Sequence, residues 1–109
     1  MSLELLTDLY EFSMANGYEQ MLPHDEQARF DVFYRQVPDD GSFVIAAGLA
    51  QVVHEVKTWH FSSDDLAYLR SLKTFSDDFL TYLADAKNEC TITAMAEGTP
   101  VFPKEPILS

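Results

Sequence analysis

The chain has 109 residues, which is enough for one small domain, and 47% of them are hydrophobic, so it can bury a core despite its high charge. Eighteen acidic residues against seven basic ones give a formal net charge of -11, which argues against binding to nucleic acid or to an anionic membrane surface. The lone cysteine, Cys90, excludes an intramolecular disulfide, and the longest apolar run, residues 43–50, is too short to span a bilayer. The N-terminal residues show no signal peptide, so we expect a cytoplasmic protein.

The first predicted element is a helix over residues 5–18. Its apolar residues recur at helical spacing: Leu5, Leu6, Leu9, Phe12 and Ala15. Asp8 followed by Glu11 resembles a capping box, so the regular helix could instead begin at Asp8. Gly17 is expected near the end of the helix, where glycine commonly stops one.

A β-hairpin is predicted next. Residues 28–36 alternate in the manner of a strand, and residues 42–47 read as a strand that returns beside them. The turn between them is Pro38-Asp39-Asp40-Gly41, in which proline presets one φ and Gly41 is expected to supply a positive one.

Three helices follow in the central part of the chain. Residues 49–59 carry Leu49, Val52, Val53, Val56 and Trp59 at helical spacing. Ser62 or Ser63 can cap a second helix, and Ser76 can cap a third, each with two aspartates in the favourable first turn.

The C-terminal part has β character. Residues 90–95 are rich in strand-forming types, residues 97–99 read as a turn, and residues 100–102 continue as an extended segment. This extended tail either pairs with the predicted hairpin or belongs to a protein that continues beyond Ser109.

Few residues carry a recognisable chemical motif. The three histidines, His24, His54 and His60, lack the spacing of metal ligands, and no glycine-rich phosphate loop is present. Cys90 is interpreted as a small core residue rather than a nucleophile, because no base lies near it in sequence.

Two positions are more informative. If the first helix begins at Asp8, both Asp8 and Tyr10 can reach past its end, where Tyr10 offers a flat face to a planar ligand and Asp8 a hydrogen-bond acceptor. The alternative is a helix cap and a core aromatic. Arg35, at the end of the first predicted strand, could bind phosphate or carboxylate through two parallel hydrogen bonds from its guanidinium. Alternatively, it could form a surface ion pair with a nearby aspartate.

The order of the motifs resembles that of the nicotinate phosphoribosyltransferase family. Residues 6–18 read LTDLYEFSMANGY, similar to the family's TDLYELTMAxGY, and residues 30–35 read FDVFYR, similar to FDLFFR. Residues 46–49 read AAGL, similar to AAGLE, and residues 65–69 read DLAYL, similar to DIxYL. Residues 97–106 read EGTPVFPKEP, similar to EGTVVFPNEP.

The resemblance implies a fold and a reaction. Members of the family join nicotinate to phosphoribosyl pyrophosphate and release pyrophosphate, with ATP hydrolysis coupled through a phosphorylated histidine, and Mg²⁺ is implied beside the ATP. They pair a small N-terminal α+β domain, of antiparallel strands and packed helices, with an α/β barrel, and their active site lies at a homodimer interface. Residues 1–109 resemble the N-terminal domain alone.

The resemblance also implies site residues. Tyr10 resembles the aromatic that stacks on the pyridine ring, Asp8 its neighbour, and Arg35 a contact to the phosphates of the phosphoribosyl substrate. Residues 36–38 read QVP where the family often has lysine and then Asn-Pro, so a second cation is missing in sequence beside Arg35. None of the three histidines lies in the phosphohistidine context, and we assign no catalytic residue to this chain.

Two hypotheses therefore stand at this point. In the first, the chain is an N-terminal fragment that contributes to a composite active site and is inactive alone, because its charge of -11 cannot provide a site for several phosphates. In the second, it is a stand-alone interaction or dimerisation domain that uses the strand edge near residues 90–102.

Overall fold

The computed structural model describes residues 2–109, and the chain folds into two compact units. The first unit combines the N-terminal part up to Glu26 with Thr58–Asn88, and the second combines Gln27–Lys57 with Glu89–Ser109. Within the described residues the chain forms four α-helices and one two-stranded antiparallel sheet, which confirms the predicted α+β class. None of the helices in this part of the chain is long and apolar enough to cross a membrane.

Helix α1 spans Leu9–Met21 with Asp8 at the N-cap position, so the later of the two predicted starts is confirmed. A short 3₁₀ helix, Leu3–Leu5, precedes it, and Met1 lies outside the described residues. The predicted capping box is wrong, because the Asp8 side chain makes no capping hydrogen bond among the described residues. The main-chain oxygen of Asp8 instead accepts a hydrogen bond from the amide of Glu11 at 3.1 Å.

Gly17 does not end α1, contrary to expectation. The helix continues through it to Met21, and Leu22 is the C-cap residue in extended conformation. Pro23 explains this end point, because the residue before a proline is sterically pushed out of the helical region.

The first unit is built around helices α3 and α4. Helix α3 spans Ser63–Ser71 and is capped by Ser62, and helix α4 spans Asp77–Asp85 and is capped by Ser76, as the serine pattern predicts. Each serine oxygen accepts a hydrogen bond from an amide in the first turn, at 3.2 Å in both helices. The apolar sides of these helices and of α1, together with Phe61 from the segment before α3, form one core cluster: Phe12, Phe61, Leu69, Phe79, Leu80 and Leu83.

Asp65 is the buried carboxylate of this unit, with 3% of its surface exposed. The amide and hydroxyl of Ser62 donate to its Oδ2 at 3.0 and 2.6 Å, and the hydroxyl of Ser2 donates to the same oxygen at 2.8 Å. Hydrogen bonds from Ser62 and Ser2 stabilise the ionised form and lower the pKa of Asp65 to about 2. Asp65 therefore joins the start of α3 to the N-terminal segment.

The second unit does not contain the predicted hairpin. Strand β1, Val44–Ile45, pairs antiparallel with strand β2, Pro100–Val101, and residues 28–36 contribute a single isolated bridge between Val32 and Leu108. The turn forms at Pro38–Asp40 as expected, but as a 3₁₀ helix. This is not one of the tight two-residue loops that align the strands of a hairpin.

The backbone of this turn also differs from the prediction. Asp39 and Asp40 adopt the positive φ values, 57° and 53°, whereas Gly41 has a φ of -70°. Aspartate is among the few residue types that enter the left-handed region readily, because its short side chain can bond to the local backbone.

The C-terminal tail finds its partners within the unit, although the predicted hairpin that it was expected to join is absent from the described residues and β2 pairs with β1 instead. Thr93 and Ser109 exchange two main-chain hydrogen bonds of 2.8 Å, and Leu108 bridges both Ala94 and Val32. Cys90 precedes this paired stretch, in an irregular segment, and is exposed, so its interpretation as a core residue is wrong.

Helix α2 spans Leu49–Thr58, close to the predicted range. Its start is held from a distant part of the chain, because the carboxylate of Glu97 accepts hydrogen bonds from the amides of Gly48 and Leu49 at 2.9 and 3.2 Å. A carboxylate at this place also interacts favourably with the positive end of the helix dipole. Gly48 has a φ of +95°, which glycine adopts without strain.

The buried carboxylate makes stability depend on pH. The pKa of Asp65 is about 2 in the folded chain, below its ordinary value of 3.8, so the folded state binds fewer protons than the unfolded state in this range. Its stabilising effect is complete above about pH 4 and is lost as the pH falls towards 2. We expect Asp65→Asn to lower the melting temperature at pH 7 and to flatten the pH dependence between about 4 and 2, as measured by circular dichroism. Asp64→Asn, at the exposed neighbouring position, is the control: it removes only a favourable first-turn charge, so it should lower the melting temperature much less and leave the pH dependence between about 4 and 2 in place.

Candidate functional site

The start of α1 presents Asp8 and Tyr10 to solvent. Asp8 lies at the N-cap position with an extended backbone, and its carboxylate is exposed and not used to cap the helix. Tyr10 lies in the first turn and is 57% exposed. The alternative interpretation of these residues as a cap and a core aromatic is therefore wrong on both counts, and both side chains can contact a ligand.

The phenol of Tyr10 remains protonated at neutral pH. A hydrogen bond with the carboxylate of Glu11, the negative charge of Glu11 and, to a smaller extent, that of Asp8 raise the pKa of Tyr10 above its ordinary value. A neutral, exposed aromatic ring with a polar end is suited to stacking on a planar ligand.

Helix α1 has apolar side chains on two sides, a feature that our sequence interpretation missed. Phe12 faces the core, whereas Tyr10, Met14, Tyr18 and Met21 are all exposed. The steps of four, four and three residues place these four side chains within about 80° of one another around the helix axis. The spacing was visible in the sequence, and it shows that Tyr10 belongs to a larger exposed apolar face.

Arg35 lies in the second unit, at a bend that follows the Val32 bridge, and is exposed. The residue before it, Tyr34, is held at both ends: its main-chain oxygen accepts a hydrogen bond from the amide of Lys104 at 2.9 Å, and its hydroxyl donates to the main-chain oxygen of Val101. These two bonds fix the backbone from which the guanidinium extends.

The alternative role of Arg35, a surface ion pair, is absent from the structure of residues 2–109. In that part of the chain Arg29 approaches Asp31 and Arg70 approaches Asp77, each at 3.8 Å. Arg35 is therefore a charged side chain held on a fixed backbone and open to an anion from outside the chain.

The described residues do not offer a metal site. Among residues 2–109 no group of three or more histidine, cysteine, aspartate or glutamate side chains is arranged to hold a metal ion. His24 packs edge-on against Tyr82 with ring centroids 5.6 Å apart, and Nδ1 of His60 lies 2.9 Å from the main-chain oxygen of Thr58. The described residues thus offer no cluster of three side chains to hold Mg²⁺, and we derive no step through Mg²⁺ or through a phosphorylated histidine.

Comparisons with known proteins agree on one family. Residues 5–109 match the family model described as the nicotinate phosphoribosyltransferase N-terminal domain. The chain is 44% identical over 104 residues to nicotinate phosphoribosyltransferase pncB2 of Mycobacterium tuberculosis, a match that covers 94% of this chain and 22% of the relative. It is 34% identical over 107 residues to nicotinate phosphoribosyltransferase of Bacillus subtilis, covering 98% of this chain and 22% of the relative.

The fold agrees with a solved structure from the same group. The crystal structure of human nicotinic acid phosphoribosyltransferase superposes with a TM-score of 0.81 at 32% identity, covering 94% of this chain and 21% of that chain. The chain thus spans about a fifth of the length of the curated relatives that it matches.

Substitutions on the two faces of α1 should differ strongly in how much they lower stability. Phe12 is 9% exposed and belongs to the core cluster, so Phe12→Ala should lower the free energy of unfolding by about 3–5 kcal/mol. Tyr10 is exposed, so Tyr10→Ala should change it by less than about 0.5 kcal/mol. Urea denaturation followed by circular dichroism measures both. A loss for Tyr10→Ala as large as that for Phe12→Ala would show that Tyr10 serves the core instead.

Proposed function

The chain belongs to the nicotinate phosphoribosyltransferase family, through that family's N-terminal domain, and we propose that it supplies substrate-binding residues to an enzyme of NAD biosynthesis. The proposed reaction joins nicotinate to phosphoribosyl pyrophosphate and gives nicotinate mononucleotide. The structural observation that carries the proposal is the exposed pair Asp8 and Tyr10 at the start of α1, within the segment that resembles the family motif.

In the proposed site Tyr10 stacks on the pyridine ring, and Asp8 accepts a hydrogen bond from a ribose hydroxyl of the phosphoribosyl substrate, because nicotinate itself has no hydrogen-bond donor at neutral pH. The ring nitrogen of nicotinate then forms a bond to C1 of the ribose as the bond from C1 to the pyrophosphate oxygen breaks. The chain's role in this step is to position the ring, which raises the rate by holding the reacting atoms in the productive orientation.

Arg35 is proposed to bind phosphate oxygens of the phosphoribosyl substrate. A guanidinium can bind two oxygens at once, and the fixed backbone at Tyr34 limits the freedom that such binding must remove. Because the chain carries a charge of -11, most of the positive charge that stabilises several phosphates must come from outside these residues. We therefore propose no catalytic residue here and expect the 109-residue chain to be inactive alone.

Three further features stay predictions. ATP and Mg²⁺ are proposed for the complete enzyme, where they would supply the driving force and charge neutralisation. We also propose a homodimer, because the resemblance implies one. We propose a cytoplasmic location, because the sequence composition favours it.

Replacing Tyr10 tests the pyridine contact. In a chimera in which this chain replaces the corresponding N-terminal domain of the Bacillus subtilis relative, Tyr10→Ala should raise KM for nicotinate by about two- to tenfold, since aromatic stacking is typically worth about 0.5–1.5 kcal/mol. Tyr68→Ala removes a tyrosine of α3 that is 49% exposed and serves as the control. Equal kinetics for the two variants would remove Tyr10 from the site. An inactive chimera beside an active relative, or turnover of nicotinate by the purified 109-residue chain, would contradict the proposed function.

Replacing Arg35 tests the phosphate contact in the same chimera. Arg35→Ala should raise KM for phosphoribosyl pyrophosphate by about tenfold and leave KM for nicotinate unchanged, because the lost interaction is a charged hydrogen bond to phosphate. Arg35→Lys should recover part of the loss, since lysine keeps the charge but lacks the two-pronged geometry. Arg29→Ala, at an exposed arginine near Asp31, is the control. An unchanged KM for phosphoribosyl pyrophosphate in Arg35→Ala would show that Arg35 does not bind it.

A further inference from the structure

We propose that Lys104 is a second anion-binding residue, which acts together with Arg35 on the same phosphate or pyrophosphate group. The inference deepens the proposed function and rests on it for the identity of the substrate. The two residues are far apart in sequence, and the fold of the second unit brings their backbones together.

Main-chain hydrogen bonds join the segment of Lys104 to the segment of Arg35. The amide of Lys104 donates a 2.9 Å hydrogen bond to the oxygen of Tyr34, and that oxygen belongs to the peptide group that joins Tyr34 to Arg35. The hydroxyl of Tyr34 also donates to the main-chain oxygen of Val101. Two separate bonds therefore hold the segment that carries Lys104 beside the segment that carries Arg35, and both residues are exposed.

Lys104 occupies a position of the turn over residues 102–105 that other residue types suit better. The amide of Glu105 donates to the oxygen of Phe102 at 3.2 Å, with Pro103 in the second position of the turn and Lys104 in the third. Lys104 has a φ of 67°. A turn with proline second and a positive φ third normally selects glycine or asparagine, because other side chains are strained there. A lysine kept in a strained conformation points to a use for its side chain.

Arg35 and Lys104 also carry positive charge in a strongly acidic chain. The chain has seven basic residues against eighteen acidic ones, yet within residues 2–109 neither Arg35 nor Lys104 forms an ion pair. The acidic residue next to Lys104, Glu105, has a carboxylate oxygen that accepts a hydrogen bond from the amide of Phe102 at 2.9 Å. Two basic residues on backbone segments that are hydrogen-bonded to each other, neither of them in an ion pair, suit a group that carries two or more negative charges.

A matched control is available in Lys73. It too is a lysine with a positive φ, 53°, but it follows the end of α3, where a left-handed residue and a positive charge both have ordinary structural reasons. Lys73→Asn and Lys104→Asn therefore remove the same charge and relieve the same type of strain, and asparagine suits the backbone at both places.

The first experiment measures binding of inorganic pyrophosphate to the chimera by calorimetry, because the remainder of the enzyme supplies the positive charge that this chain lacks. We expect Lys104→Asn to weaken binding by roughly three- to tenfold relative to Lys73→Asn, and Lys104→Arg to retain it, since an exposed charged contact contributes modestly. Equal affinities of the two asparagine variants, or no binding by the unsubstituted chimera, would overturn the proposal.

The second experiment separates this inference from the proposed function. In the chimera, Lys104→Asn should raise KM for phosphoribosyl pyrophosphate and leave KM for nicotinate unchanged, with Lys104→Arg restoring the first value. An active chimera in which Lys104→Asn behaves like Lys73→Asn overturns the role of Lys104 and leaves the proposed function standing. An inactive chimera contradicts the proposed function, and the pyrophosphate titration then decides whether Lys104 binds anions.

Discussion

Main-chain hydrogen bonds from residues 93–109 organise the second unit. Strand β2 pairs with β1, Leu108 bridges both Val32 and Ala94, and the amide of Lys104 binds the oxygen of Tyr34. Each of these bonds joins positions far apart in sequence, so each requires the closure of a long loop before it contributes to stability. The segment around Arg35 has no regular secondary structure of its own and depends on these partners for its position.

The first unit depends instead on local signals that reinforce one another. Ser62 and Ser76 satisfy amides at the starts of α3 and α4, and the apolar residues of both helices recur at the spacing that directs them to one side. Asp65 adds a contact of long range, because it bonds both to Ser62 of its own capping box and to Ser2. A buried carboxylate with several donors is stable as an anion, and it keeps the N-terminal segment against the start of α3.

The candidate site residues share a physical character in spite of their different positions. Asp8, Tyr10, Arg35 and Lys104 are all exposed, and each side chain extends from a backbone that a helix or a hydrogen-bonded turn holds in place. A fixed backbone removes part of the freedom that binding must restrict, although the long side chains of Arg35 and Lys104 still lose rotamer freedom when they bind. The apolar face of α1 around Tyr10 and the net charge of -11 are both consistent with the proposal that surfaces from outside these residues take part in binding.

The sequence by itself determined the helices with their serine caps and, through the ordered family motifs, the α+β class and the family, but it left the start of α1 open between Leu5 and Asp8. The helix caps follow from signals within a few residues of one another, such as a serine before an apolar repeat. Only the tertiary structure decided that β1 pairs with β2 rather than with residues 28–36, that Tyr10 is exposed, and that Lys104 lies beside Arg35. Strand partners and exposure depend on which distant segment supplies hydrogen bonds and apolar contacts, and the alternation of residues along one segment does not contain that information.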